Sequence, residues 1–174
     1  MTDRCSDSVR HGPLVAAAFG VAIVLGACGD DHAGHVHDSA TATATATAHS
    51  HAHQAPHGGT LVVLGEEFVH IEVKVDSKTG ALTAWVLDGE CESAVRIAQT
   101  SVTIRVGDGA TAVDVALGAV ANALTGESVG DTSQFDGVSP RIVGLDRFAG
   151  TVLSVNVKGQ RFENVTFRYP EGNE

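Results

Sequence analysis

The stretch FVHIEVKVD, residues 68–76, decides the fold. Val69, Ile71, Val73 and Val75 alternate with His70, Glu72, Lys74 and Asp76. Side chains two apart on a strand project to one face, so this pattern reads as a half-buried antiparallel strand with a polar outer side. Ser77-Lys78-Thr79-Gly80 supplies a turn, and ALTAWVLD, residues 81–88, the return strand. Upstream, TLVVL at 60–64 is a further short strand, close enough to pair with the first.

Outward from this hairpin the same period recurs. SVTIRV (101–106) and TAVDVAL (111–117) flank Gly107-Asp108-Gly109, and GTVLSVNV (150–157) and RFENVTFR (161–168) flank Lys158-Gly159. Residues 118–149 are rich in Gly, Ser and Asp and read as a long loop with a short strand at 133–135. Ser139-Pro140 is an N-cap and first helical residue, which predicts one helical turn toward Asp146. Six or seven short strands without a helical period predict an all-β domain over residues 58–170, followed by a tail at 171–174. The expected architecture is an antiparallel β-sandwich of immunoglobulin-like topology.

The other end of the chain is different. Residues 1–13 are polar, and residues 14–27, LVAAAFGVAIVLGA, form an unbroken apolar run ending in small residues. That is the layout of a secretory signal peptide, and the run is short for a membrane span, which needs about 20 apolar residues. Leu25-Gly26-Ala27-Cys28 resembles the lipobox of bacterial lipoproteins. The resemblance implies cleavage before Cys28, a lipid anchor on that cysteine, and a membrane-anchored protein in the cell envelope, facing the periplasm or the cell surface. Gly29 in place of Asp favours the outer membrane.

Residues 28–57 hold almost no large apolar side chain, and Ala40 to Ala48 is an Ala-Thr repeat. Such a segment cannot offset the entropy of ordering and is expected to be a disordered tether, reaching roughly 30 Å. Seven of the nine histidines fall between residues 32 and 57. His32, His35 and His37 sit beside Asp30, Asp31 and Asp38; His49, His51 and His53 form an H-x-H-x-H group, with His57 close behind. Imidazole suits zinc, copper and nickel, and carboxylates can complete a shell, so weak capture of such ions is expected. Two other readings are a spacer in which histidine is incidental and a tract that gains charge near pH 6–6.5.

The formal net charge is −10 with no Lys or Arg cluster, which speaks against nucleic acid and favours cations. Of three cysteines, Cys5 lies in the leader and Cys28 at the cleavage point, so Cys91 is left without an internal disulfide partner in the mature chain. Its neighbours Glu90 and Glu92 disfavour a reactive thiolate. No H-E-x-x-H, C-x-x-C, P-loop or G-x-S-x-G motif is present, and no enzymatic activity is expected.

Pro56-His57-Gly58-Gly59, followed by Val69-His70-Ile71-Glu72, resembles small envelope proteins and the N-terminal region of periplasmic adaptors of cobalt–zinc–cadmium efflux systems. There an H-G-G turn precedes one strand and an H-x-E pair lies on the next. The likeness extends through Leu87-Asp88-Gly89 and Val95-Arg96-Ile97. It implies heavy-metal handling, nominates His57, His70 and Glu72 as ligands, and suggests an efflux or uptake complex as partner. His70 and Glu72, two apart on a strand, share a face, and His57 could approach the same end. Read from the residues alone, His70 and Glu72 are equally the solvated face of an amphipathic strand. The corresponding alternative for the whole chain is a non-catalytic interaction module on a spacer.

Overall fold

The computed structural model describes residues 53–173. The leader, Cys28 and the histidines His32, His35, His37, His49 and His51 lie outside the described residues.

The described residues form eight strands: β1 (Thr60–Leu64), β2 (Val69–Asp76), β3 (Ala81–Asp88), β4 (Ser101–Val106), β5 (Val113–Ala119), β6 (Gln134–Val138), β7 (Phe148–Val157) and β8 (Gln160–Tyr169). Every pairing is antiparallel. The all-β antiparallel expectation therefore holds. In place of two facing sheets, however, hydrogen bonding runs through one sheet in the order β1-β2-β3-β6-β5-β4-β7-β8. The consecutive strands β4, β5 and β6 lie side by side, with β3 returning beside β6 and β7 beside β4. These are two overlapping Greek keys.

The sheet curls until its two edges nearly meet. Asn173 closes the seam from beyond β8. Its side-chain oxygen accepts the Val63 N–H at 2.8 Å, and its side-chain amide donates to the Val63 carbonyl at 3.2 Å. The Thr60 hydroxyl donates to the Pro170 carbonyl at 3.0 Å. These bonds occupy backbone groups of an edge strand that would otherwise invite another chain. Asn173, in the segment expected to be a C-terminal tail, thus takes part in closure.

Curvature is built into the last hairpin. The β4–β7 register slips so that Thr103 faces Ser154 while Ile104 faces Val152, leaving Leu153 as an extra residue. Opposite it on β8, Asn164 adopts a left-handed φ of 52°. The inward set on β7 changes there from Gly150 and Val152 to Val155 and Val157. A bulge of this kind bends a strand and increases its twist.

Val62, Ile71, Val73, Leu82, Ile104 and Phe135 are among the side chains that fill the interior. Each fully buried aliphatic or aromatic residue contributes about 1.5–3 kcal/mol. The loop expected over 118–149 contributes β6 and the 3₁₀ turn Pro140–Ile142. Ser139 caps that turn by accepting from the Arg141 N–H, and Ile142 adds to the core.

Candidate metal-handling site

The pairing of β2 with its neighbours lays out the site. Across the outer face, Leu61, Glu72, Trp85 and Gln134 form one rung, and Val63, His70 and Leu87 the next. The sequence predicts an exposed polar face here. Instead His70 and Glu72 are fully buried, because residues 53–59 lie across them as a strap.

Glu72 is the anchor of the strap. Its two oxygens accept the His57 N–H at 2.9 and 3.1 Å and the Gly59 N–H at 2.7 Å. The His57 ring adds a third partner, with Nδ1 2.8 Å from Oε2. Since the carboxylate only accepts, Nδ1 is the donor in this contact and Nε2 points away from Glu72. On the other side of the same residue, Lys74 Nζ donates to the His57 carbonyl at 2.7 Å. The imidazole stacks on Trp85, with centroids 4.1 Å apart and planes within 8°. His57 is thereby fixed at backbone and ring while its side chain stays 40% exposed.

The two glycines after His57 have separate reasons. Gly58 takes a left-handed φ of 70° at the end of the turn that its N–H closes on the Ala55 carbonyl. Gly59 passes so close to β2 that a Cβ there would sit 2.6 Å from the Val73 carbonyl oxygen. Pro56 occupies the second position of that turn, which favours its fixed φ. The P-H-G-G string is thus the geometry needed to lay a chain flat on β2 and present N–H groups to Glu72.

His70 has a different surrounding. Its Nδ1 lies 3.3 Å from the Asp88 carbonyl, and its ring meets that of His53 with centroids 5.0 Å apart at 61°. Asp88 itself closes the loop after β3. Burial works against its charge, but the N–H groups of Ser93 and Glu92 outweigh this and hold its carboxyl below the usual value. Cys91, in that loop, is buried at a left-handed φ of 58°.

The nominated set therefore divides. His57 and Glu72 meet directly; His70 pairs with His53. Among the described residues no three His, Cys, Asp or Glu side chains are grouped to hold an ion. Both Glu72 oxygens accept from N–H donors of the strap. A histidine that donates one ring N–H to a carboxylate or a carbonyl presents the other nitrogen in a fixed direction.

Sequence reasoning missed Trp85 as the platform for His57, Lys74 as its carbonyl clamp and the His53–His70 contact. The first had a signal. A hairpin turning at 77–80 pairs Asp76 with Ala81, which puts Trp85 opposite Glu72. The other two depend on where residues 53–59 fold back, and no periodicity encodes that.

No protein-family model, curated protein or solved structure matches the chain. The likeness to efflux adaptors rests on the short strings quoted above, from His57-Gly58-Gly59 to Val95-Arg96-Ile97.

Proposed function

We propose that the chain is a lipid-anchored envelope protein that binds transition-metal ions of the zinc, copper and nickel class. It buffers them or delivers them to an efflux or uptake complex, without catalysing a reaction. The anchor is the acylated Cys28 that follows the apolar run, and the mature protein faces the periplasm or the cell surface.

One observation carries this reading: the His57 ring is oriented by a fully buried Glu72 carboxylate at 2.8 Å, at the point where a histidine-rich tract joins a folded wall. A carboxylate bonded to one ring nitrogen fixes the direction in which the other points. The tract from His32 to His53 then captures ions loosely, and the joint with the domain supplies ligands that need no ordering. An acidic chain with net charge −10 draws cations toward both.

A second reading is favoured by a different observation. Glu72 accepts two backbone N–H groups, which is sufficient reason for its burial in a protein that only needs a strap held down. On that reading the domain is a non-catalytic interaction module and the tract a spacer. Isothermal titration of Zn²⁺, Cu²⁺ and Ni²⁺ into the chain from Gly29 onward separates the two. Saturable heat at micromolar to submillimolar ion supports metal handling. No binding tighter than millimolar leaves the interaction module.

A further inference from the structure

We infer that Asp108 and Gly109 form a site of spontaneous backbone modification, at which the aspartate converts to isoaspartate through a cyclic imide. It goes beyond the metal-binding reading and does not depend on it.

The chemistry needs only these two residues and water. The Gly109 nitrogen attacks the side-chain carboxyl carbon of Asp108 in its protonated form. An N–C bond forms, a C–O bond breaks, and the hydroxyl leaves as water with the amide proton. Water then adds to one of the two imide carbonyls. Opening at the side-chain carbonyl restores aspartate. Opening at the main-chain carbonyl leaves the chain running through the former side chain, one methylene longer, with a free carboxylate on the old main-chain carbon. Glycine in the second position favours the attack, because it has no Cβ to shield its nitrogen and its backbone turns freely.

The chain holds three Asp-Gly pairs, Asp88-Gly89, Asp108-Gly109 and Asp136-Gly137. Each needs a carboxyl group that is not held by donors. Each also needs a peptide plane, between the two residues, that can turn until the nitrogen faces the carboxyl carbon. At Asp88 the carboxylate accepts the Glu92 and Ser93 N–H groups at 2.9 and 3.2 Å. The carbonyl of that peptide plane accepts the Cys91 N–H at 3.1 Å, and a Cβ on Gly89 would lie 2.3 Å from the Glu67 carbonyl oxygen. Asp136 lies in β6 between β3 and β5, opposite Thr83 and Gly118. The Gln134 side-chain amide donates to its carboxylate at 3.2 and 3.3 Å, and a Cβ on Gly137 would lie 2.6 Å from the Ala116 carbonyl oxygen. Both pairs are held.

Asp108 and Gly109 are exposed, in the connection from β4 to β5. Asp108 precedes the 3₁₀ turn Gly109–Thr111, where an aspartate commonly accepts from the N–H groups of the turn, yet its side chain makes no such bond. Gly109 takes a left-handed φ of 59°, with nothing within 4 Å of where a Cβ would stand. Among the described residues, one bond holds the peptide plane between the two, from the Thr111 hydroxyl to the Asp108 carbonyl at 3.1 Å. The backbone on either side is fixed, by the Gly107 N–H on the Ala149 carbonyl at 2.8 Å and by the pairing of Val106 with Val113. The converted turn therefore stays tied to the sheet. Asp108 also lines a cleft of about 290 Å³ with Arg147 and Arg168, and conversion moves its carboxylate relative to both.

The test is incubation of the chain from Gly29 in mildly acidic buffer, once folded and once in urea, until the urea sample has converted measurably. Peptide mapping with electron-transfer fragmentation then distinguishes isoaspartate from aspartate at each position. In the folded chain isoaspartate is expected to accumulate at Asp108 about tenfold or more faster than at Asp88 and Asp136, which must open locally first. In urea the three rates are expected to converge. The inference is overturned if Asp88 or Asp136 converts as fast as Asp108 in the folded chain, or if Asp108 converts in urea and stays intact when folded.

Discussion

Glu72 holds His57 by its backbone and its ring at once: the carboxylate accepts the His57 N–H at 2.9 Å and lies 2.8 Å from the ring Nδ1. With Gly59 N–H as a further donor, one buried side chain fastens the whole strap to β2. Replacing Glu72 by Ala leaves these amides facing a covered, apolar wall. The cost is expected to be about 2–4 kcal/mol, from the loss of bonds to a charged acceptor and the amides left behind. Glu72→Gln keeps one accepting oxygen and should cost less. Urea unfolding measures both, and amide exchange at His57 and Gly59 should accelerate in each.

The glycines of the strap should respond unequally. At Gly59 an added methyl meets the Val73 carbonyl at 2.6 Å, so the backbones must separate. At Gly58 nothing lies within 4 Å, and the penalty is only that of a left-handed φ, about 1 kcal/mol. Gly59→Ala is expected to destabilise clearly more than Gly58→Ala in thermal unfolding. Equal effects would mean that the strap does not pass β2 this closely.

Phe167 lies over Gly150 in the last hairpin. A Cβ at Gly150 would be 2.3 to 2.8 Å from three ring atoms of Phe167. Gly150→Ala is therefore expected to cost about 1–3 kcal/mol by overpacking. Combining it with Phe167→Leu should cost less than the sum of the two single changes, since the second removes the obstacle created by the first.

The hairpin at residues 68–88 was legible because its inner face is a plain alternation of Val, Ile, Leu and Ala, and its turn fixes the register. The burial of His70 and Glu72 was not. Their face is polar, and what covers it is a Gly-, Pro- and His-containing segment that composition assigns to a tether. Nor does the single, nearly closed sheet follow from strand patterns. The order of strands is set by where the connections 89–100 and 139–147 cross, and the curling by Leu153 and Asn164, where the two-residue period breaks. The H-G-G and H-x-E strings lie where the strap crosses β2, while the contact between the rings of His70 and His53 had no signal in the sequence.

Acid should loosen the β5–β6 connection. Glu127 accepts from the Ser133 N–H and hydroxyl and from the Thr125 hydroxyl. Burial raises its pKa, but these bonds and nearby Arg96 outweigh it, so the folded value lies below the ordinary 4.5. A lowered folded pKa means that the stabilisation is complete above pH 4.5 and is lost as pH falls through the folded value. Asp76, lowered by bonds from Thr79 and Lys78, acts in the same direction. Thermal midpoints should decline below about pH 4.5, and Glu127→Gln should reduce the slope of that decline.

The central claim is that histidine nitrogens of this chain ligate a transition ion. X-ray absorption at the zinc edge, on the chain from Gly29 with one equivalent of Zn²⁺, reads the ligands directly. The account predicts a shell at about 2.0–2.1 Å with the outer scattering of at least two imidazole rings. A shell of oxygens alone, without imidazole scattering, would contradict it.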